Sequence, residues 1–168
     1  AHDYRYVPDP DLLPVRAGDM VERMRPHVPE LPAEKSTRFE RDYEITSYDS
    51  NVLASDRGLA DYFETAARTS EARPKKTANW VINTLLRHLN DNNITASSSP
   101  VSPEQLAATV DLIESGTISN NQAREVFDAL WNNPSRSPAE IASEMGFEPA
   151  DTGEMDALID EAISANPD

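Results

Sequence analysis

The chain has 168 residues, 38% of them hydrophobic, and its 30 acidic side chains face only 15 basic ones, for a formal net charge of −15. That length holds one ordinary domain or two small ones, and that charge argues against broad electrostatic attachment to nucleic acid. Cysteine is absent, which excludes a disulfide framework and a thiolate metal site; no apolar run approaches the roughly 18 residues of a membrane span, so a cytoplasmic protein is expected.

The chain opens on Tyr4, Arg5, Tyr6 and Val7, which alternate as a strand does, before Pro8, Pro10 and Pro14 forbid further ladder pairing. A lone strand cannot bury a face. Nothing downstream reads as a second strand, and there is no initiator Met. Residues 1–16 are therefore expected to be a remnant strand with a proline-rich exit, left from the sheet of a larger protein. Asp19 is placed to N-cap a short helix carrying Met20, Val21 and Met24, which Pro26 and Pro29 close. Pro32 suits the first position of the next helix, in which Phe39 and Tyr43 lie one turn apart. Ser47 is expected to cap a short helix holding Val52 and Leu53. Ser55 or Asp56 should cap another that buries Leu59, Ala60, Tyr62, Phe63 and Ala66.

The longest helix is predicted over residues 74–90. Ala78, Val81, Ile82, Leu85, Leu86 and Leu89 form its apolar stripe. Thr95-Ala-Ser-Ser-Ser-Pro100 reads as a polar linker and a domain boundary, separating residues 17–96 from residues 97–168. Few contacts are expected across it, so that residues 102–166 would move as a unit. Ser102-Pro-Glu-Gln105, Ser119-Asn-Asn-Gln122 and Ser137-Pro-Ala-Glu140 each have the form of a capping box, and Gly116 supplies a left-handed C-cap. A last helix is predicted around Met155, Leu158, Ile159, Ala162 and Ile163. The predicted fold class is all-α: two small helical domains after a remnant N-terminal β-strand.

No catalytic constellation emerges. The glycines are not clustered into a phosphate loop, and His2, His27 and His88 are too scattered to ligate a metal. His88 falls on the polar side of its helix and is expected to face solvent. No catalytic residue and no metal site is predicted. Chemistry of another kind is suggested by Arg73-Pro-Lys-Lys76, just ahead of Asn79. Cations beside a helix start meet phosphate with both charge and unpaired N–H groups. Lys75 and Lys76 are all the lysines in the chain apart from Lys35. A second candidate is Arg124, in the helix that follows Gly116-Thr-Ile-Ser119. The plain alternatives are solvated lysines and an ordinary helix hairpin. Sparse lysine with abundant acid also suits adaptation to high salt, which screens self-repulsion.

Read together, these strings resemble the C-terminal part of GatB, the B component of the aspartyl/glutamyl-tRNA amidotransferase family, with its YqeY-like tail. The matching segments, in the family's order, are Tyr4-Arg-Tyr-Val-Pro-Asp-Pro-Asp-Leu12, Leu31-Pro-Ala-Glu34, Leu59-Ala-Asp-Tyr-Phe63, Ala78-Asn-Trp80, Ser99-Pro-Val-Ser-Pro-Glu-Gln-Leu106, Gly116-Thr-Ile-Ser119 and Ala123-Arg-Glu-Val-Phe127. The resemblance implies a catalytic cradle domain ahead of this chain, holding ATP and Mg²⁺, then a helical linker domain (17–96) and an incomplete tail (97–168). It implies amidotransferase subunits A and C and tRNA as partners, with neither membrane nor DNA. The whole enzyme would activate the side-chain carboxylate of Asp or Glu misacylated on tRNA and displace the phosphate with glutamine-derived ammonia. This fragment alone would be inactive and would position the tRNA through Arg73, Lys75, Lys76, Asn79 and Arg124. The family often has Gly-Lys where Asn120-Asn121 stands, and Lys where Arg124 stands. The rival expectation is a helical protein–protein scaffold with no RNA contact, which the net charge favours.

Overall fold

The computed structural model describes residues 17–147. The expected remnant strand and the expected last helix lie outside the described residues. By packing, the chain divides into two units between Leu31 and Pro32.

The first unit holds α1 (Gly18–Met24) and a 3₁₀ turn, Arg25–His27. Its N-cap is Ala17, without a side-chain cap bond. Asp19 sits inside the first turn instead, where a negative charge still favours the helix dipole.

The second unit is built from α2 (Pro32–Tyr43), α3 (Ser47–Ala54), α4 (Arg57–Thr69), α5 (Pro74–Trp80), α6 (Leu86–Asn92), α7 (Pro103–Glu114), α8 (Asn120–Asn132) and α9 (Pro138–Glu144). Every regular element among the described residues is helical, and the fold is all-α. Capping chemistry sets the helix starts. Asp56 accepts from the Leu59 N–H at 2.9 Å and opens α4. Thr46, not Ser47, caps α3, because its oxygen rather than that of Ser47 meets the Asp49 N–H. All three predicted capping boxes close, at Ser102, Ser119 and Ser137. Gly116 takes the left-handed conformation at φ 73°, which a side chain would strain.

The core runs through α2, α4, α5, α7 and α8. Phe39, Leu53, Phe63, Leu85, Leu106, Val126, Phe127 and Leu130 are fully buried. Phe39, Tyr43 and Phe63 meet edge to face, with centroids 5.1 to 5.6 Å apart. All the residues expected to be buried in α4 are buried.

Two expectations are corrected. The long helix is not uniform: between α5 and α6 the backbone makes a π turn, Val81–Leu85. Ala78, Val81, Leu85 and Leu89 are buried, while Ile82 and Leu86 are only half-buried. The segment around residues 95–100 is also not sparse in contacts. Ala96 and Val101 are buried in the same core as Leu59 and Leu106. The buried Tyr62 hydroxyl donates to the Val101 and Ser102 carbonyls at 3.0 and 2.9 Å. A Cβ on Gly58 would lie 2.5 Å from Ser97 Oγ and 3.6 Å from the Ser97 backbone nitrogen, so the segment runs close against the start of α4. Further along, Ser70 Oγ donates to Asp111 Oδ1 at 2.5 Å, and Trp80 lies against Phe127. Polar composition concealed this anchoring, which needs only two apolar side chains and one phenol.

Candidate nucleic-acid interface

Helix α5 starts at Arg73, whose extended backbone makes it the N-cap, with Pro74 at the first helical position. Thr77, Ala78 and Trp80 turn into the core. Arg73, Lys75, Lys76 and Asn79 are thereby left exposed. Lys76 Nζ is hydrogen-bonded to Glu114 Oε2 at the end of α7. Arg124 is exposed on α8, because its neighbours Ala123, Val126 and Phe127 take the buried face.

The fold brings part of the expected set together. Asn79 and Arg124 line a groove of about 150 Å³ with Trp80, Asn83, Thr84 and Asn120. Lys76 and Asn79 line an adjoining groove of about 240 Å³ with Trp80, Val110, Ile113 and Asn120. Arg73 and Lys75 line neither, and stand on the exposed start of α5.

The electrostatics of this face differ from those of the rest of the second unit. Elsewhere cations are neutralised by near neighbours. Lys35 pairs with Asp61 at 3.2 Å and Arg38 with Glu64 at 2.7 Å. Arg57, Arg68 and Arg136 pair with Asp61, Glu64 and Glu144. Arg41 lies beside Asp42, and the hydrogen bond from its guanidinium holds that carboxyl below its ordinary value. Among the described residues, Arg73, Lys75, Arg87 and Arg124 have no ion-pair partner. Residues 74–90 and 115–124 contain no Asp or Glu at all. In a chain of net charge −15, two acid-free stretches carrying unpaired cations are where positive potential can gather, although Glu114 already neutralises Lys76.

Sequence reasoning missed Asn83, Asn120 and Arg87. The signal for Asn83 and Arg87 was present: Lys76, Asn79, Asn83 and Arg87 recur at helical spacing in an acid-free stretch. Asn120 joins them only through the packing of α8 beside α5. His88 is corrected. It does not face solvent: its side chain is 16% exposed and its ring lies 4.9 Å from that of Trp131 and 5.3 Å from that of Phe127. Nε2 is 3.0 Å from Asp128 Oδ1, close enough for an ion pair when protonated but off the axis of a good hydrogen bond. The apolar side of α8 covers that face of α6.

The largest of the described cavities, about 370 Å³, lies elsewhere, between α4 and residues 96–103, and contains none of the predicted site residues. Its Tyr62 hydroxyl is already committed to two carbonyls. Among the described residues no cluster of acidic and histidine side chains could hold a metal ion, and no helix is long and apolar enough to cross a membrane.

Comparison with known proteins bears on this face. A profile of the GatB domain matches residues 61–168, which takes in all of the predicted contacts. The chain is 48% identical, over its whole length, to a Rhizobium meliloti protein named as the B subunit of aspartyl/glutamyl-tRNA(Asn/Gln) amidotransferase, covering 33% of that relative. The protein of the same name from Sinorhizobium fredii is also 48% identical, with the same coverage. That from Trichlorobacter lovleyi is 46% identical over 99% of this chain and 35% of its own length. The chain thus spans about a third of the length of the curated relatives it matches.

Proposed function

The chain belongs to the GatB domain family, and from that premise we propose that it is the tRNA-engaging C-terminal region of one component of a tRNA amidotransferase. The enzyme would convert misacylated Asp-tRNA(Asn) or Glu-tRNA(Gln) to the amidated form, in complex with subunits A and C. The observation that carries the reading is that Lys75, Lys76, Asn79 and Arg124 lie on two acid-free stretches of an otherwise acidic chain, with Lys75 and Arg124 unpaired among the described residues. There RNA phosphates would meet Lys75 and Arg124, which have no ion-pair partner among the described residues, and would compete with Glu114 for Lys76. Arg73 and Lys75 extend the set along the start of α5.

The role is positional. A carboxylate becomes a competent acyl donor only with a leaving group, which phosphorylation by ATP supplies; holding the tRNA end near that chemistry converts a bimolecular encounter into an oriented one. The described residues do not fit ATP and Mg²⁺ themselves, having neither a metal-ligating cluster nor a glycine-rich loop. No step is therefore assigned to them, and the isolated chain is expected to show no turnover. The separation into a helical linker (17–96) and a tail (97–168) is proposed as one of family modules, distinct from packing. High-salt adaptation and a cytoplasmic setting complete the proposal.

The test is K75E/K76E in the complete enzyme. Binding of tRNA should weaken by about 1–3 kcal/mol with a flatter salt dependence, while ammonia release from glutamine is kept. The net charge of −15 favours the rival, a protein–protein scaffold. Unchanged tRNA affinity at two salt concentrations would support that rival.

A further inference from the structure

The groove between the π turn and α8 is lined by amides more than by charge. Asn83 Nδ2 donates to Asn79 Oδ1 at 3.1 Å. That bond uses one donor and one acceptor, and leaves an N–H₂ on Asn79 beside a carbonyl on Asn83. Exchanging both amide orientations reverses the order but still presents one donor beside one acceptor. Both residues are exposed, so the pair faces the groove rather than the core. Across from them stand Asn120 and Arg124, one turn apart on α8. Among the described residues the Asn120 amide has no hydrogen-bond partner, and the Arg124 guanidinium has no ion-pair partner. Trp80, 9% exposed, and Thr84, 6% exposed, complete the lining.

The chemistry of this set selects among ligands. A phosphate or carboxylate offers acceptors only, and here it would meet a single unneutralised guanidinium and lose the amide acceptor. An apolar ligand would strand the amides. A group carrying a donor beside an acceptor on one edge matches the outward N–H₂ of Asn79 and carbonyl of Asn83, and unpaired nucleobases present such edges. A volume of about 150 Å³ is on the order of five waters at roughly 30 Å³ each, the scale of one flat heterocycle. The π turn, Val81–Leu85, widens the helix where Asn83 faces the groove.

We propose that this groove takes one unpaired RNA base, read along its donor–acceptor edge by Asn79 and Asn83, with Asn120 on the opposite wall and Arg124 on a flanking phosphate. The proposal rests on the RNA-binding reading above and deepens it: part of the recognition is of a base, not of backbone charge alone.

The experiment compares N79A/N83A, R124A and K75E/K76E in the full-length enzyme complex, with transcripts of tRNA(Asn) and tRNA(Gln) as probes at two salt concentrations. Asn79 and Asn83 are exposed, and an unchanged melting temperature verifies that the double variant is folded. N79A/N83A is expected to weaken binding about tenfold with no change of salt slope, since a base contact releases no counterion. R124A should weaken binding and lower the slope by about one. Dimethyl sulfate should find one unpaired base protected by the unaltered enzyme and exposed with N79A/N83A. Unchanged affinity for N79A/N83A beside weakened R124A overturns the base reading and leaves RNA binding standing. A lowered slope for N79A/N83A also overturns it, because the amides would then be holding a cation. Unchanged binding for all three variants overturns both readings.

Discussion

Replacing Tyr62 by Phe removes one oxygen from the point where α4 holds the segment leading into α7. The hydroxyl is 3.0 Å from the Val101 carbonyl and 2.9 Å from that of Ser102, and the side chain is 5% exposed. A typical intramolecular hydrogen bond contributes about 1 kcal/mol net, and a carbonyl left buried without a partner costs about 1–3 kcal/mol more. Val101 O, however, also accepts from Ser99 Oγ at 2.8 Å. The phenol is therefore not its only partner, and the loss should fall near 1–1.5 kcal/mol. Urea unfolding at 25 °C measures it as a lowered midpoint at constant m. A second readout is alkaline. Burial pushes the Tyr62 phenol up from its ordinary 10.0, so above that pH the unfolded chain loses a proton that the folded chain keeps. This contribution is complete below pH 10 and is lost as pH rises beyond it. Tyr62→Phe should flatten that part of the pH profile. A loss below about 0.3 kcal/mol with an unaltered alkaline limb would show that the phenol does not hold residues 97–102, and would restore a loosely attached linker.

Leu85→Ala should cost about 2–5 kcal/mol, because Leu85 is fully buried in the π turn and its cavity cannot drain to solvent; under about 0.5 kcal/mol would place that face outside the core. Glu140 accepts from the Ser137 backbone N–H, which holds its carboxyl below the ordinary 4.5. Its contribution is present above that pH and fades as the pH falls through the lower folded value, so Glu140→Gln should remove a part of the acid limb that is otherwise seen in pH-dependent unfolding. With 30 acidic residues against 15 basic ones, the melting temperature should rise between 0.1 and 2 M KCl, concentrations chosen to collapse the Debye length from about 10 Å towards 3 Å. A flat or falling response would remove the case for high-salt adaptation.

Helix starts were legible in the residues because capping is local: Asp56, Ser102, Ser119 and Ser137 each satisfy an N–H within the next three residues. So was the buried set of α4, since a period of 3.6 states which side must turn inward. The candidate contacts Lys75, Lys76 and Arg124 were legible as residue types in unusual places, but not as a site. Three-dimensional packing settled what lies many residues apart along the chain. Ala96 and Val101 are two apolar side chains in a polar run, and nothing local says that Tyr62 waits for them. His88 looked outward because its cover, Phe127 and Trp131, comes from a helix some 40 positions on. The π turn, Val81–Leu85, interrupts a stretch whose apolar spacing reads as one continuous helix. The groove is the same case: Asn79 and Asn83 are neighbours by helical geometry, whereas Asn120 and Arg124 reach them only because burial of Trp80 against Phe127 brings α8 alongside. Local hydrogen bonding and periodicity act over a few residues and can be read from the chain; juxtaposition is set by how whole apolar faces are buried, and that sum exists only in the folded molecule.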